Sequence, residues 1–262
     1  MAPDELRLDE VNDHLKLYQI RDGLTFGTDA LLLAAYVKGD PAAKAIEFGA
    51  GTGIVSLLLA VRKKVQTIIA IENQPEYAAL CEKNAALNGL SDRITVVCGD
   101  VRDDGVIAGD GYDLVVTNPP YLKDGAGIPN LSDKKNAARR ETAGDISDFC
   151  RAAAKKLRTG GRFVAVYLPA RLPDLFSAMR EAKIEPKRLT VVSADPEALP
   201  SLILVEGRRG GAPGMRATRP LFLYRDASHG APSTEMQTIL DTGDFPAGFG
   251  DGTDPREKGK NR

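Results

Sequence analysis

The chain reads as an α/β protein with a mostly parallel sheet of seven strands, helices on both faces, an antiparallel finish and a small N-terminal hairpin. Three observations carry this reading. From residue 44 onward, short apolar runs of strand length alternate with amphipathic stretches of helix length. A glycine-rich turn, Gly49-Ala50-Gly51-Thr52-Gly53, sits between the first such run and the helix that follows. The last three apolar runs come with little helix between them, so parallel crossovers cannot join them all.

The elements follow in order. Residues 6–20 hold two short alternating stretches that predict a β-hairpin. GLTFGTDALLLAAYVK (23–38) predicts a loop entering a helix, with Thr28 or Asp29 as N-cap. KAIEFG (44–49), TIIAIE (67–72), ITVVCGD (94–100) and YDLVVTN (112–118) predict the first four strands of the sheet. A helix after the glycine turn (53–63) and another with Pro75 at its start and Gly89 past its end separate them. ISDFCRAAAKKLRTGG (146–161) predicts a helix closed by glycine, RFVAVYLP (162–169) a fifth strand and RLPDLFSAMREAK (171–183) a further helix. KRLTVVSA (187–194), SLILVEGRR (201–209) and PLFLY (220–224) complete the sheet. Three segments result: an N-terminal hairpin over 1–24, one catalytic-sized domain over 25–225, and a Gly-, Pro- and charge-rich tail over 226–262 whose composition predicts disorder.

Composition removes several function classes. The 262 residues are 43% hydrophobic and 27% charged, enough for a full core, and no apolar run reaches the ~20 residues of a membrane span. The acidic start MAPDELRLDE is no secretory leader, so a cytoplasmic location is expected. Cys81, Cys98 and Cys150 are scattered, and the two histidines, His14 and His229, lie near opposite ends. A His-based triad and a Cys/His metal centre are therefore not expected. The net charge of −1 hides a local excess: residues 123–162 carry ten Lys/Arg against five Asp/Glu. That stretch reads either as a solvated face or as a track for phosphates.

Gly49, Gly51 and Gly53, preceded by Glu47, lie where a backbone must turn tightly and let a ligand approach. Glu72 ends the next strand, where a carboxylate can accept from two ribose hydroxyls. EFGAGTG, Glu72 and the Gly99-Asp100 pair together resemble the class I S-adenosylmethionine methyltransferases, a Rossmann-like fold. The resemblance implies that S-adenosyl-L-methionine binds along the first loop. By it, Glu72 and its neighbour Asn73 face the ribose, Asp100 accepts from the cofactor's adenine amine, and the Val101 N–H lies beside the ring. A dinucleotide-binding dehydrogenase is the competing reading of the glycine turn.

Asn118-Pro119-Pro120-Tyr121 follows the fourth strand, at the carboxyl edge where α/β ligand sites form. A planar amine is a poor nucleophile because its lone pair is delocalised. Two acceptors aimed at its N–H groups favour the pyramidal form: the Asn118 side-chain oxygen and the Pro119 carbonyl supply them. Prolines stiffen the loop and carry no competing N–H, and Tyr121 offers a face for stacking. No histidine and no metal is needed. A Pro-Pro loop that merely closes a strand is the structural alternative.

Over residues 15–224 the chain resembles the bacterial tRNA(Val) adenine-N6 methyltransferases, through FGTDALLL (26–33), NPPY (118–121), AARRE (137–141), RFVAVYLPARLPDL (162–175), EPKRL (185–189) and RPLFLY (219–224). The resemblance implies an adenine beside the anticodon as target, flipped out of its stack onto Tyr121, with Phe26 and Thr28 bordering the methionine end of the cofactor. Lys134, Lys135, Arg139 and Arg140, with a second basic turn at Arg208 and Arg209, would hold the flanking tRNA phosphates or simply be solvated. Membrane and DNA are not expected partners. NPPY also occurs in rRNA amino-methyltransferases and in protein-glutamine N5-methyltransferases, and these remain the alternatives. A catalytically silent RNA-binding module is a further one, although such a module has no reason to keep an intact NPPY.

Overall fold

The computed structural model describes residues 6–12, 15–21, 26–119 and 144–249. Strands β1 (Leu6–Asn12) and β2 (Leu15–Ile20) form the antiparallel hairpin, with a bulge between Glu10 and Asn12. Then come α1 (Thr28–Tyr36), β3 (Lys44–Phe48), α2 (Ile54–Val61), β4 (Thr67–Glu72), α3 (Pro75–Leu87), β5 (Ile94–Cys98) and β6 (Tyr112–Thr117). After the undescribed stretch follow α4 (Ile146–Lys156), β7 (Leu157–Tyr167), α5 (Leu172–Glu181), β8 (Ile184–Ser193), β9 (Pro200–Arg209), the two-residue strands β10 (Arg216–Ala217) and β11 (Leu221–Phe222), and α6 (Thr234–Thr242).

The main sheet runs β10-β8-β9-β7-β6-β3-β4-β5, with β11 also on β8. Seven full strands match the expected number, whereas the PLFLY run contributes only the two-residue β11, which with β10 widens the sheet to nine. β5, β4, β3, β6 and β7 are parallel, whereas β9 is antiparallel to both β7 and β8. Alternation along the central strands explains the two layers. Leu114 and Val116 of β6 and Val164 and Val166 of β7 pack with α1, α2 and α3. Val115, Phe163, Ala165 and Tyr167 pack on the other face with α4 and α5. The end of α4 differs from expectation. The helix stops at Lys156, and Leu157 is already paired with Tyr112, so LRTGG enters the strand through a register shift.

The hairpin docks on α3 through two carboxamides one helical turn apart. The Asn84 Oδ1 accepts from the Tyr18 N–H (2.8 Å) and its Nδ2 donates to the Tyr18 carbonyl (3.0 Å). The Asn88 Oδ1 accepts from the Lys16 N–H (3.0 Å) and its Nδ2 donates to the Lys16 carbonyl (2.7 Å) and back to the Asn84 carbonyl (2.8 Å). The two side chains thus imitate the edge of a strand, and β2 pairs with it.

The expected disordered tail needs correction. Residues 226–249 are structured: the Ser233 hydroxyl caps α6 by accepting from the Met236 N–H (3.0 Å), and Gly243 closes it at φ 74°. Met236, Ile239 and Phe249 are buried, and the Phe245 ring meets Tyr36 edge-on at 5.5 Å. Arg62 donates to the Gly243 carbonyl (3.2 Å), and Lys64 pairs with Asp244 (2.6 Å). A few well-placed apolar residues secure this segment, and a composition dominated by glycine, proline and charge conceals them. Residues 250–262 lie outside the described residues.

Candidate functional site

Because β3, β4, β5 and β6 are adjacent and parallel, their carboxyl ends share one edge of the sheet. That single fact gathers the glycine loop, Glu72, Asn73, Asp100, Val101, Asn118 and Pro119, although they span seventy residues of sequence. The loop is drawn tight by the Gly53 N–H donating to the Ala50 carbonyl (2.8 Å), and Ala50 itself donates to the Ile71 carbonyl of β4 (2.9 Å).

Two of the loop glycines serve different ends. Gly51 has a left-handed backbone, φ 55°, and a Cβ placed there would meet nothing within 4 Å. It borders open space. Gly53, at φ 85°, is pressed on α3, where a Cβ would lie 2.5 Å from the Cys81 sulfur. Its role is packing.

The two acids of the region also divide. Glu72, almost fully buried, accepts from the Gly51 N–H (2.8 Å) on one oxygen and from the Gln74 N–H (2.9 Å) on the other. The first oxygen keeps a second lone pair for a ligand hydroxyl, whereas the Gln74 side-chain nitrogen also donates to the second at 3.4 Å. Glu47 instead turns beneath the loop, where the Ser56 N–H (2.9 Å) and hydroxyl both donate to one carboxylate oxygen. Burial pushes its carboxyl up to about 8, against the lowering effect of the Ser56 hydrogen bonds. Glu47 thus ties the loop to the first turn of α2 from below.

Asp100 is chelated by its neighbour Arg102, whose Nε reaches both carboxylate oxygens (2.9 and 3.0 Å) and whose N–H donates as well (2.8 Å). Hydrogen bonding from Arg102 holds the Asp100 carboxyl below the usual carboxylate range. At the end of β6, the buried Thr117 hydroxyl donates to the Phe48 carbonyl (3.0 Å) and locks β6 to β3 just before Asn118. The Asn118 amide nitrogen donates to the Asp29 carboxylate (2.8 Å), so the start of α1 also reaches this edge.

Helix α1 begins one residue earlier than the sequence suggests. Gly27 is its N-cap, with no side-chain cap bond, and neither Thr28 nor Asp29 plays that part. Phe26 is partly buried against the core and its N–H donates to the Gln19 side chain (2.9 Å), while Thr28 is exposed. Sequence reasoning missed Asp29, Ser56, Arg102 and Asn84, the last of which also donates to the Thr52 carbonyl in the loop (2.9 Å). Only Asp29 carried a signal, as part of FGTDALLL, and its type was accounted for by capping.

Arg208 and Arg209, the second basic pair, end strand β9 away from this edge. Strand β9 runs against β7, so Arg208 sits opposite Arg162 at the amino edge of the parallel strands, not at the edge of Asn118. The separation is four residues along β7, roughly 13 Å, plus two strand spacings. There Arg208 donates to the Gly160 carbonyl (3.2 Å) and Arg209 to the Ala154 carbonyl (3.0 Å). Pro120, Tyr121, Lys134, Lys135, Arg139 and Arg140 lie outside the described residues. Among the described residues no His/Cys/Asp/Glu group is arranged to hold a metal ion, and no helix is long and apolar enough to cross a membrane.

Comparison with known proteins agrees with this geometry. The sequence model of the methyltransferase small domain matches residues 20–183. A tRNA1(Val) (adenine(37)-N6)-methyltransferase of Porphyromonas gingivalis is 32% identical over 189 residues, 70% of this chain and 73% of the relative. The enzyme of the same name from Escherichia coli O157:H7 is 29% identical over 187 residues, 71% of this chain and 75% of its own. Among solved structures, a predicted O-methyltransferase of Agrobacterium tumefaciens superposes with a TM-score of 0.69 at 22% identity, covering 83% of this chain and 97% of that one, which speaks for the fold.

Proposed function

The chain belongs to the methyltransferase small domain family, and on that premise we propose that it methylates the N6 amine of an adenine in tRNA, in the cytoplasm, the adenine at position 37 of a valine tRNA being the best-supported target. The observation that carries the reading is the meeting, at one sheet edge, of an Asn-Pro start of NPPY with a glycine loop open to a ligand and two acids on neighbouring strands. The curated relatives of that name, similar over most of the chain, support the choice of substrate.

The residues fit S-adenosylmethionine. The open side of Gly51 would allow close approach, the Glu72 carboxylate would accept from the ribose hydroxyls, and Asp100 and Val101, just past β5, would border the adenine ring. Gly49, Gly53, Asn73, Phe26 and Thr28 would border the same ligand. When bound, the group supplies an electrophilic methyl. The chain's own residues do the rest. The Asn118 oxygen and the Pro119 carbonyl accept from the two amine N–H groups and draw the nitrogen toward a pyramidal form. Tyr121 stacks on the base and keeps it in line, and Lys134, Lys135, Arg139 and Arg140 hold the flanking phosphates. The chemistry asks for acceptors rather than for a metal.

Methyl transfer from labelled S-adenosylmethionine to unmodified total tRNA, with nucleosides identified by mass spectrometry, tests the reading. N6-methyladenosine in a valine tRNA is the expected product. Label in rRNA or in a release-factor protein instead would keep the chemistry and overturn the substrate.

A further inference from the structure

We propose that Asp29 is a positioning residue for the transfer: its carboxylate fixes the Asn118 carboxamide with the nitrogen toward the protein and the oxygen toward the substrate amine. This rests on the amine-methylation reading above.

The two ends of a carboxamide have nearly the same shape and opposite hydrogen-bonding character. Turned one way, Asn118 offers an acceptor to the amine. Turned the other, it sets one NH2 against another, and the pyramidal form loses its support. A carboxylate only accepts, so the 2.8 Å contact from the Asn118 Nδ2 to the Asp29 Oδ2 is compatible with the first orientation alone. The bond is charge-assisted, and it polarises the amide so that its oxygen becomes the better acceptor.

The surroundings of Asp29 hold it for this task. Its other oxygen accepts from the Ala30 N–H (2.9 Å) in the first turn of α1, where the helix dipole favours a negative charge. A Cβ at Gly27 would come within 2.7 Å of that oxygen, so the residue two places earlier leaves the carboxylate its room. The far end of α1 is anchored by two cations. Lys64 donates to the Ala34, Ala35 and Val37 carbonyls (3.0 Å each), and Arg188 to the Tyr36 carbonyl (2.7 Å). With both ends tied, α1 cannot slide along its axis to carry Asp29 away from Asn118.

The test compares Asp29→Leu, which keeps the bulk without the acceptor, and Asp29→Asn, which restores an acceptor that can also turn round. Asp29→Leu is expected to lower kcat for tRNA methylation by about 10²-fold, with the Kd for S-adenosylmethionine and the KM for tRNA within about twofold of the parent. Asp29→Asn should fall between. A kcat within twofold of the parent in Asp29→Leu, or a loss of kcat matched by loss of cofactor binding, overturns the proposal. The Asn118 side-chain amide resonances, identified by their absence in Asn118→Ala, give a second reading without catalysis. They should be slow to exchange in the parent and fast in Asp29→Leu, and unchanged exchange overturns the proposal. If the parent transfers no methyl to tRNA, the substrate reading falls, and these resonances alone decide on Asp29.

Discussion

The two edges of the main sheet carry charge in opposite ways. At the carboxyl edge of the parallel strands, Glu72, Asp100 and Asp29 are each held by hydrogen bonds, Glu72 to the glycine loop, Asp100 to Arg102 and Asp29 to Asn118. At the amino edge gather Arg158, Arg162, Arg208 and Arg209, which mostly reach back to backbone carbonyls. Strand direction alone separates the two. A residue that follows a parallel strand reaches the first edge, and one that follows the antiparallel β9 reaches the second. Identical phrases in the sequence, a strand and then charged residues, therefore mean different places.

Asn118→Ala should break the carboxyl edge most completely: methyl transfer falls by about 10³-fold while calorimetry still finds S-adenosylmethionine bound with near-parental affinity. Near-parental transfer would remove Asn118 from the chemistry. Next in size is Gly53→Ala. Its Cβ would collide with the Cys81 sulfur at a left-handed backbone position, so a loss of roughly 3 kcal/mol in thermal or urea unfolding is expected, partly recovered in a Cys81→Ala background. Gly51→Ala, with open space around its Cβ, should cost only about 1 kcal/mol of stability and show its effect in cofactor affinity instead. Equal stability losses for the two would show that the loop does not divide its glycines in this way.

Glu47 sharpens the same contrast from beneath the loop. With its carboxyl pushed up from 4.5 to about 8, the fold holds a proton that the unfolded chain releases, so its contribution is fully present at low pH and is lost as pH rises through about 8. Melting temperature measured from pH 5 to 9 should therefore fall in the parent relative to Glu47→Gln. Parallel curves would count against the buried, protonated state. The smallest effect belongs to the other edge. Arg208→Ala with Arg209→Ala should cost about 1 kcal/mol in unfolding and leave the KM for tRNA within twofold. A tenfold rise in that KM would bring the amino edge into the RNA interface after all.

Local patterns made much of this readable in advance. Alternation and glycine turns located all seven full strands, and a parallel order then dictated that Glu72, Asp100 and Asn118 would meet. Contacts across long sequence separation were not readable. Asp29 and Asn118 are 89 residues apart, and an Asp at a helix start already has a sufficient local explanation. The orientation of Glu47 depends on Ser56 in the next turn of chain, which no motif marks. The docking of α6 depends on cations at Arg62 and Lys64 that belong to a different part of the core.

The paired carboxamides that seat the hairpin also set a chemical clock. Asn88 precedes Gly89, the sequence in which backbone nitrogen most readily attacks an asparagine side chain and converts it to aspartate. In the fold that nitrogen is occupied, donating to the Ala86 carbonyl (3.1 Å), and the Asn88 amide is fastened at three points. Docking of β2 therefore shields the site that ageing would attack. In the aspartate product the side chain keeps its acceptor for Lys16 and loses both donors, leaving the Asn84 rung to hold the strand. That remaining rung also holds the Thr52 carbonyl, so one side chain joins the hairpin to the glycine loop.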